Sequence, residues 1–339
     1  VGPEVSVVAA AAERSSKILL VGDLAVLREA ARGRGVAVSR LVPVDRPEAA
    51  WKVKPRAIPV WQPTPALAPP DRVAGRPTRS SGAAQLAWID AACDLVSSGD
   101  ADALTTGPVS KEAIASSGGR AARVFLGHTE HLQRRLKARE VVMAFWSPAL
   151  VTSLVTTHLP LSRVPAALTP EGVARAAFWL AWLLHRVGIR APRVAVAGLN
   201  PHAGEGGLLG REETTVLKPG IERARRRARR ARLGATIEGP IPAETAFRLA
   251  LRGSGTRTPP RWDGVVAMYH DQATIPMKVA EFGEAVNVSL GLPIVRTSVD
   301  HGTGYDRAGR WTADAGGMSA ALSLAAKLVG TSRRSRATA

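Results

Sequence analysis

Three histidines stand where an apolar run gives way to a loop. His158 lies in LVTTHLP from Leu154 to Pro160. His202 lies in GLNPHAGEGGLLG from Gly198 to Gly210, and His270 in GVVAMYHDQ from Gly264 to Gln272. The runs, including Arg193–Ala197 before the second, read as buried strands. The loop around His202 also carries Asn200 and Glu205, and its glycines allow sharp bends and close approach to a ligand. Open α/β sheets place ligands at the carboxyl ends of their strands. Neutral imidazoles bind zinc at about 2.0–2.1 Å, and a catalytic ion keeps one position open. His158, His202 and His270 therefore read as ligands of one metal ion. Its open position suits a substrate hydroxyl or carbonyl oxygen, where the ion acts as a Lewis acid. They are far apart in sequence, so no short-spacing motif supports them, and a lone strand-end histidine is also compatible with a structural hydrogen bond. Lys278, Asn287 and Arg296 follow the third histidine. They suit an anionic polar substrate, arginine through bidentate contact with carboxylate or phosphate; surface ion pairs are the plainer alternative.

The elements that would position these residues alternate as βα units, which implies a largely parallel sheet. A strand is predicted over Lys17–Gly22 and a helix over Leu24–Arg32, then a proline-rich stretch from Pro43 to Arg79 with a short strand at Ile58–Val60. Trp51 and Trp61 there read as packing anchors. Helical spacing of Ala84, Leu86, Ile89, Ala92, Cys93 and Val96 predicts a helix over Ser81–Ser97 and puts Cys93 in the core. Thr105–Lys111 (TTGPVSK) is a strand-to-helix turn that offers amides and a lysine to an anion, or is a capped helix with an exposed lysine. His128 and Thr129 open a helix through Lys137, where first-turn amides favour an anion; either is also an ordinary cap. Val141–Trp146 and Ala149–Thr157 predict an antiparallel pair across Ser147-Pro148, and Thr169–Val187 a helix. Arg211–Leu233 is helical with a break or kink at Lys218-Pro219-Gly220. Strands are predicted at Val286–Leu290 and Ile294–Val299, then a glycine-rich loop at Asp300–Gly304 and a closing helix over Ala313–Leu328.

Composition excludes several classes. The chain has 339 residues, enough for two domains. No apolar run reaches membrane-span length, and no signal peptide opens it. The single cysteine, Cys93, excludes an internal disulfide and suits a reducing cytoplasm. The net charge of +18 invites a nucleic-acid partner. However, much of the excess lies in an Ala/Arg helix over Glu222–Arg232, which reads as a solvated face, and in a tail from Arg333 that reads as disordered. With only 4% aromatic residues and none interleaved with the arginines, a stacking platform is absent. Attraction for small phosphorylated substrates is the more economical reading.

Taken together, TTGPVSK, GHTE, TTHLPL, GLNPHAGEGG, MYHDQ and GLPIVRTSVDHGT resemble the 4-hydroxythreonine-4-phosphate dehydrogenase family of vitamin B6 synthesis; they cover most of the chain in the family's order. The resemblance implies an α/β chain with two α/β/α domains around a cleft, like isocitrate and isopropylmalate dehydrogenases. The implied division is 1–124 plus 291–330 on the cofactor side and 125–290 for metal, substrate and dimerisation, with 331–339 a basic disordered tail. It implies a cytoplasmic homodimer with shared active sites, whose metal (zinc, magnesium or cobalt) is held by His158, His202 and His270 from both subunits. It places substrate at His128, Thr129, Lys278, Asn287 and Arg296, with Lys278 and His202 as catalytic residues. NAD or NADP is implied near Asp300, His301, Gly302 and Thr303. The implied reaction oxidises and decarboxylates 4-phosphooxy-L-threonine to 3-amino-2-oxopropyl phosphate. Relatives acting on D-erythronate or D-threonate 4-phosphate, or on aromatic cis-dihydrodiols, share these motifs. The sequence departs from the family's pattern at Glu244, Gly304 and Trp311, where Asp, Ala and Gly are common, and the first strand is expected to be missing. Two readings of other classes are an inactive basic binding protein on the same fold and a metal hydrolase without nicotinamide.

Overall fold

Strand-forming runs and helical repeats alternate along the chain, and the computed structural model shows the mixed α/β architecture this pattern demands. The structure describes residues 1–252, 259–280 and 283–337. It divides into two units, Val1–Ala138 with Leu292–Val329, and Arg139–Gly291 with the residues from Gly330 on.

The first unit opens with α1 (Gly2–Ala12), β1 (Leu20–Val21), α2 (Leu24–Gly33), β2 (Leu41–Val44) and β3 (Ile58–Trp61). The three strands form a parallel sheet in the order β1-β3-β2. β1 is shorter than predicted, because only Leu20 and Val21 find partners, at Val60 and Trp61 of the four-residue β3. Its core joins Val7, Leu20, Leu27, Leu41, Ile58 and Val60. α3 (Arg79–Ser98) begins with a reciprocal cap between Thr78 and Ser81 and buries Ala84, Ile89 and Cys93. β4 (Ala103–Thr106) leads through α4 (Lys111–Ser116) and α5 (Arg120–Arg123) to α6 (His128–Arg135).

The second unit contains β5 (Val142–Trp146), β6 (Val151–Leu154), α7 (Val164–Ala167), α8 (Pro170–Arg186), β7 (Arg193–Ala197), α9 (Lys218–Arg230), β8 (Thr236–Ile241), α10 (Ala243–Ala250), β9 (Gly264–Ala267), α11 (His270–Ala280) and β10 (Val286–Leu290). Its strands run in the order β10-β5-β6-β9-β7-β8. The β5–β6 hairpin is antiparallel as predicted, and β6, β9, β7 and β8 pair in parallel. Every residue of β6 and β9 is buried, as expected of strands covered on both faces. The predicted break at Lys218–Gly220 takes the form of a π turn over Glu213–Leu217. Pro219 follows directly in α9, where helical backbone runs on from the π turn and the ring has no N–H to offer it.

The Ala/Arg pattern of α9 resolves into a buried stripe of Gly220, Ile221, Ala224 and Ala228 with arginines on the other side. Arg227 is the exception: it lies over the Phe178 ring, 4.1 Å from its centre, and pairs with Glu140. That ion pair holds the Glu140 carboxyl below its usual range against the opposing effect of burial.

In the first unit β11 (Val295–Val299) pairs in parallel with β4; the last element is α12 (Gly316–Ala337), whose residues through Val329 belong to this unit. Much of the stretch expected as a disordered tail is thus helical backbone, while Thr338 and Ala339 lie outside the described residues. No helix among the described residues is long and apolar enough to cross a membrane.

Candidate active site

In the second unit, β6 and β9 run side by side, so their carboxyl ends emerge together. Pairing continues beyond both strands: Val155 N donates to Ala267 O at 2.9 Å, and the Thr156 hydroxyl donates to Met268 O at 2.7 Å. This extension carries His158 alongside His270, and their ring centres are 5.4 Å apart. Two imidazoles on one tetrahedral ion at about 2.1 Å would have centres roughly 5.3 Å apart. The pair therefore fits a shared cation. The Asp271 carboxylate sits 2.7 Å from Nδ1 of His270. A carboxylate there fixes the tautomer with Nδ1 protonated and leaves Nε2 as the free lone pair.

His202 is exposed in a loop after β7, in left-handed backbone with φ of 52°. Within one chain, the described residues contain no group of three His, Cys, Asp or Glu side chains able to hold a metal ion. The structure thus brings together two of the three expected ligands. Lys278 is exposed on α11, and Asn287 is half-buried on β10.

The first unit carries a separate set of groups. Arg296 on β11 is only 3% exposed, and its guanidinium donates to the Thr106 hydroxyl on β4 at 2.6 Å. Burial pushes its pKa down to about 10, against the attraction of Glu130. Thr129, buried, and His128 open α6, whose cap residue Gly127 offers no side chain to the first-turn amides. His128 Nε2 is buried, with no hydrogen-bond partner among the described residues. Burial first, then the positive charges of Arg296, His131 and Lys111, holds the His128 pKa well below its ordinary value. Arginine, open helix amides and a neutral imidazole make a setting for an anion. Lys111 itself is exposed at the start of α4, which Ser110 caps.

The depressed His128 pKa has a measurable consequence. The unfolded chain takes up a proton near pH 6.5 that the folded chain refuses. Stability is therefore full above that pH and falls as pH drops below it, by at most about 1.4 kcal/mol per unit from this one group. Urea unfolding at pH 7.5 and pH 5.5 is expected to show a smaller acid loss for His128→Asn than for the unsubstituted protein. Equal losses would remove His128 from this role.

Of the loop expected near the cofactor, His301 and Gly302 are exposed, with His301 Nδ1 3.0 Å from Gly302 O; Thr303 O accepts from the Val1 amino group at 3.1 Å. Asp300 is half-buried beside them. Trp311, also in left-handed backbone, lays its ring so close to Gly33 that no side chain would fit there, and its carbonyl accepts from Arg34.

Four positions had no role of their own in the sequence reading: Thr106, Glu130, Asp271 and Glu213. The first three lie inside the motifs TTGPVSK, GHTE and MYHDQ. His131, which has no motif, proves to be buried with Nε2 2.6 Å from Asp90 and its ring against Phe125.

Comparison with known proteins gives a consistent result. Residues 14–325 match the family of the pyridoxal phosphate biosynthetic protein PdxA. A protein of Desulfosudis oleivorans named 4-hydroxythreonine-4-phosphate dehydrogenase is 40% identical over 333 residues, covering 96% of this chain and 91% of its own. The crystal structure of a 4-hydroxythreonine-4-phosphate dehydrogenase from Klebsiella pneumoniae superposes with a TM-score of 0.78 at 30% identity, covering 97% of this chain and 96% of that one. A terephthalate 1,2-cis-dihydrodiol dehydrogenase from Burkholderia xenovorans gives 0.62 at 31% identity, covering 98% and 94%.

Proposed function

Because the chain belongs to the PdxA family, whose curated relatives are dehydrogenases, we propose that it oxidises and decarboxylates 4-phosphooxy-L-threonine to 3-amino-2-oxopropyl phosphate, with NAD or NADP as hydride acceptor and a divalent metal bound. The observation that carries this reading is the spacing of His158 and His270, with Asp271 behind the second ring. The ion, when bound, supplies Lewis acidity at the substrate's oxygen. His158 and His270 hold it, and His202 from a second copy completes the set. Lys278 serves the proton that leaves or joins that oxygen. Arg296, with His128 and Thr129, binds the substrate's anionic groups, and Asn287 orients it. The exposed residues His301 and Gly302, with Asp300 and Thr303, face the nicotinamide cofactor.

A homodimer is part of the proposal. Six of the large hydrophobic side chains exposed in the described structure flank the three histidines in sequence: Leu159 and Leu161, Leu208 and Leu209, Ile275 and Val279. Val279 is 83% exposed and Leu208 85%. Apolar surface of this kind marks interaction sites, and a second copy would cover it where His202 is required.

The dihydrodiol relative supports a second reading, with a cyclic diol as substrate. The relatives at 40% and 42% identity, both named 4-hydroxythreonine-4-phosphate dehydrogenase, favour the phosphorylated one. NAD(P)H formation, followed with metal present, is expected with 4-phosphooxy-L-threonine above D-erythronate 4-phosphate, D-threonate 4-phosphate and an aromatic cis-dihydrodiol. Turnover of the diol alone would favour the second reading, and no turnover of any would overturn the dehydrogenase assignment.

A further inference from the structure

His202 sits in a backbone conformation that the sequence by itself disfavours. From His202 to Gly206 five consecutive residues have positive φ: 52°, 54°, 81°, 43° and 67°. Three of them, His202, Ala203 and Glu205, carry a Cβ, which meets a carbonyl oxygen in left-handed helical backbone. Such a turn persists only where its surroundings over-determine it.

The over-determining group is Glu213. Its side chain is 3% exposed. Oε1 accepts from the backbone N–H of Leu199 at 2.9 Å and of Asn200 at 2.8 Å. Oε2 accepts from Asn200 Nδ2 at 3.0 Å, and that amide also donates to Glu212 Oε2 at 2.8 Å. The Asn200 carbonyl in turn accepts from Ala203 N, closing the turn over His202. On its other side the carboxylate presses against Gly204. A Cβ there would lie 2.7 Å from Oε2, so only glycine permits the approach.

Glu213 also begins the π turn before α9. A π turn changes the angular position of every residue before it, and single π turns concentrate at functional sites. Here one widened turn and one buried carboxylate converge on the loop that displays His202.

We propose that Glu213 is a positioning residue: its carboxylate locks Leu199 and Asn200 and thereby holds the left-handed turn that presents His202 as a metal ligand. The ligand role of His202 comes from the function proposed above; the holding of the loop does not depend on it.

Glu213→Gln keeps size and removes charge. Its NH2 faces the Asn200 amide donors, so at least one bond is lost. Two measurements test the proposal. In metal-free protein, amide hydrogen exchange at Leu199, Asn200 and Ala203 is expected to be at least about tenfold faster in E213Q, with exchange in α8 unchanged. In cobalt titrations followed by the visible ligand-field bands, E213Q is expected to bind about 10–100-fold more weakly. The double variant E213Q/H202A is expected to bind no more weakly than H202A.

Unchanged exchange in E213Q overturns the proposal, as do losses from E213Q and H202A that simply multiply. If the unsubstituted protein binds no cobalt, the metal reading fails, and the exchange measurement still decides whether Glu213 holds the loop. Should E213Q fail to fold, E213D, which draws the carboxylate back by one methylene from the Leu199 and Asn200 N–H groups, is expected to show the same localised exchange. Absence of that change overturns the proposal equally.

Discussion

Arg296→Met is expected to change stability little while lowering kcat/KM about 10²–10³-fold. The two effects diverge because a buried guanidinium is a poor source of stability. Arg296 is 3% exposed, its guanidinium donates to the Thr106 hydroxyl, and the charge of Glu130 lies nearby. Burial already lowers its pKa to about 10, which shows that the surroundings disfavour the charged form. Methionine has a similar length and no charge to desolvate. In the proposed function, such a charge is kept for an anion that it meets in the working enzyme. Urea unfolding and steady-state kinetics on the same preparation separate the cases. A stability loss of about 3–5 kcal/mol with little change in kcat/KM would make Arg296 a structural residue.

The second large effect concerns the histidines. His270→Ala and His202→Ala are each expected to lower metal-dependent turnover at least about a thousandfold, because Lewis-acid assistance is worth several kcal/mol. The informative experiment mixes them. His158 and His270 come together within one chain, and among the described residues no third side chain completes a metal-holding group there. If His202 arrives from the other copy, a mixed dimer of H202A and H270A chains contains one intact site and one doubly damaged site. Unfolding and refolding the two together should restore roughly a quarter of the full activity by random pairing. A mixture of H158A and H270A should restore nothing, because both damage the half supplied by one chain. Recovery in the second mixture, or none in the first, would contradict this division of ligands.

The fold was legible wherever a periodic signal met burial on both faces. The all-buried runs of β6 and β9, the buried run Val194–Ala197 of β7 and the apolar stripe of α3 follow directly from residue type. So did the histidines, because strand ends are visible as the point where apolar runs stop. What stayed hidden depends on contacts across a loop. Glu213 is thirteen residues from Asn200, and nothing in a helical repeat distinguishes it from Glu212. The π turn that aims it is a tertiary compromise near Pro219 and leaves no periodic trace. Thr106 was hidden for a similar reason: its value as an acceptor for Arg296 comes from strand pairing between segments 190 residues apart. Segment boundaries shifted where pairing partners ran out, as at β1, or where ladder bonds continued past the regular strand, as between Val155 and Ala267.

Cys93 bears on how all this can be watched. It is the chain's only cysteine, it is fully enclosed in α3, and burial pushes its thiol pKa up. Thiol-directed reagents at neutral pH should therefore pass it by. A spin label or fluorophore attached to a cysteine introduced in the loop after β7 would report from that site alone, against an almost silent native background.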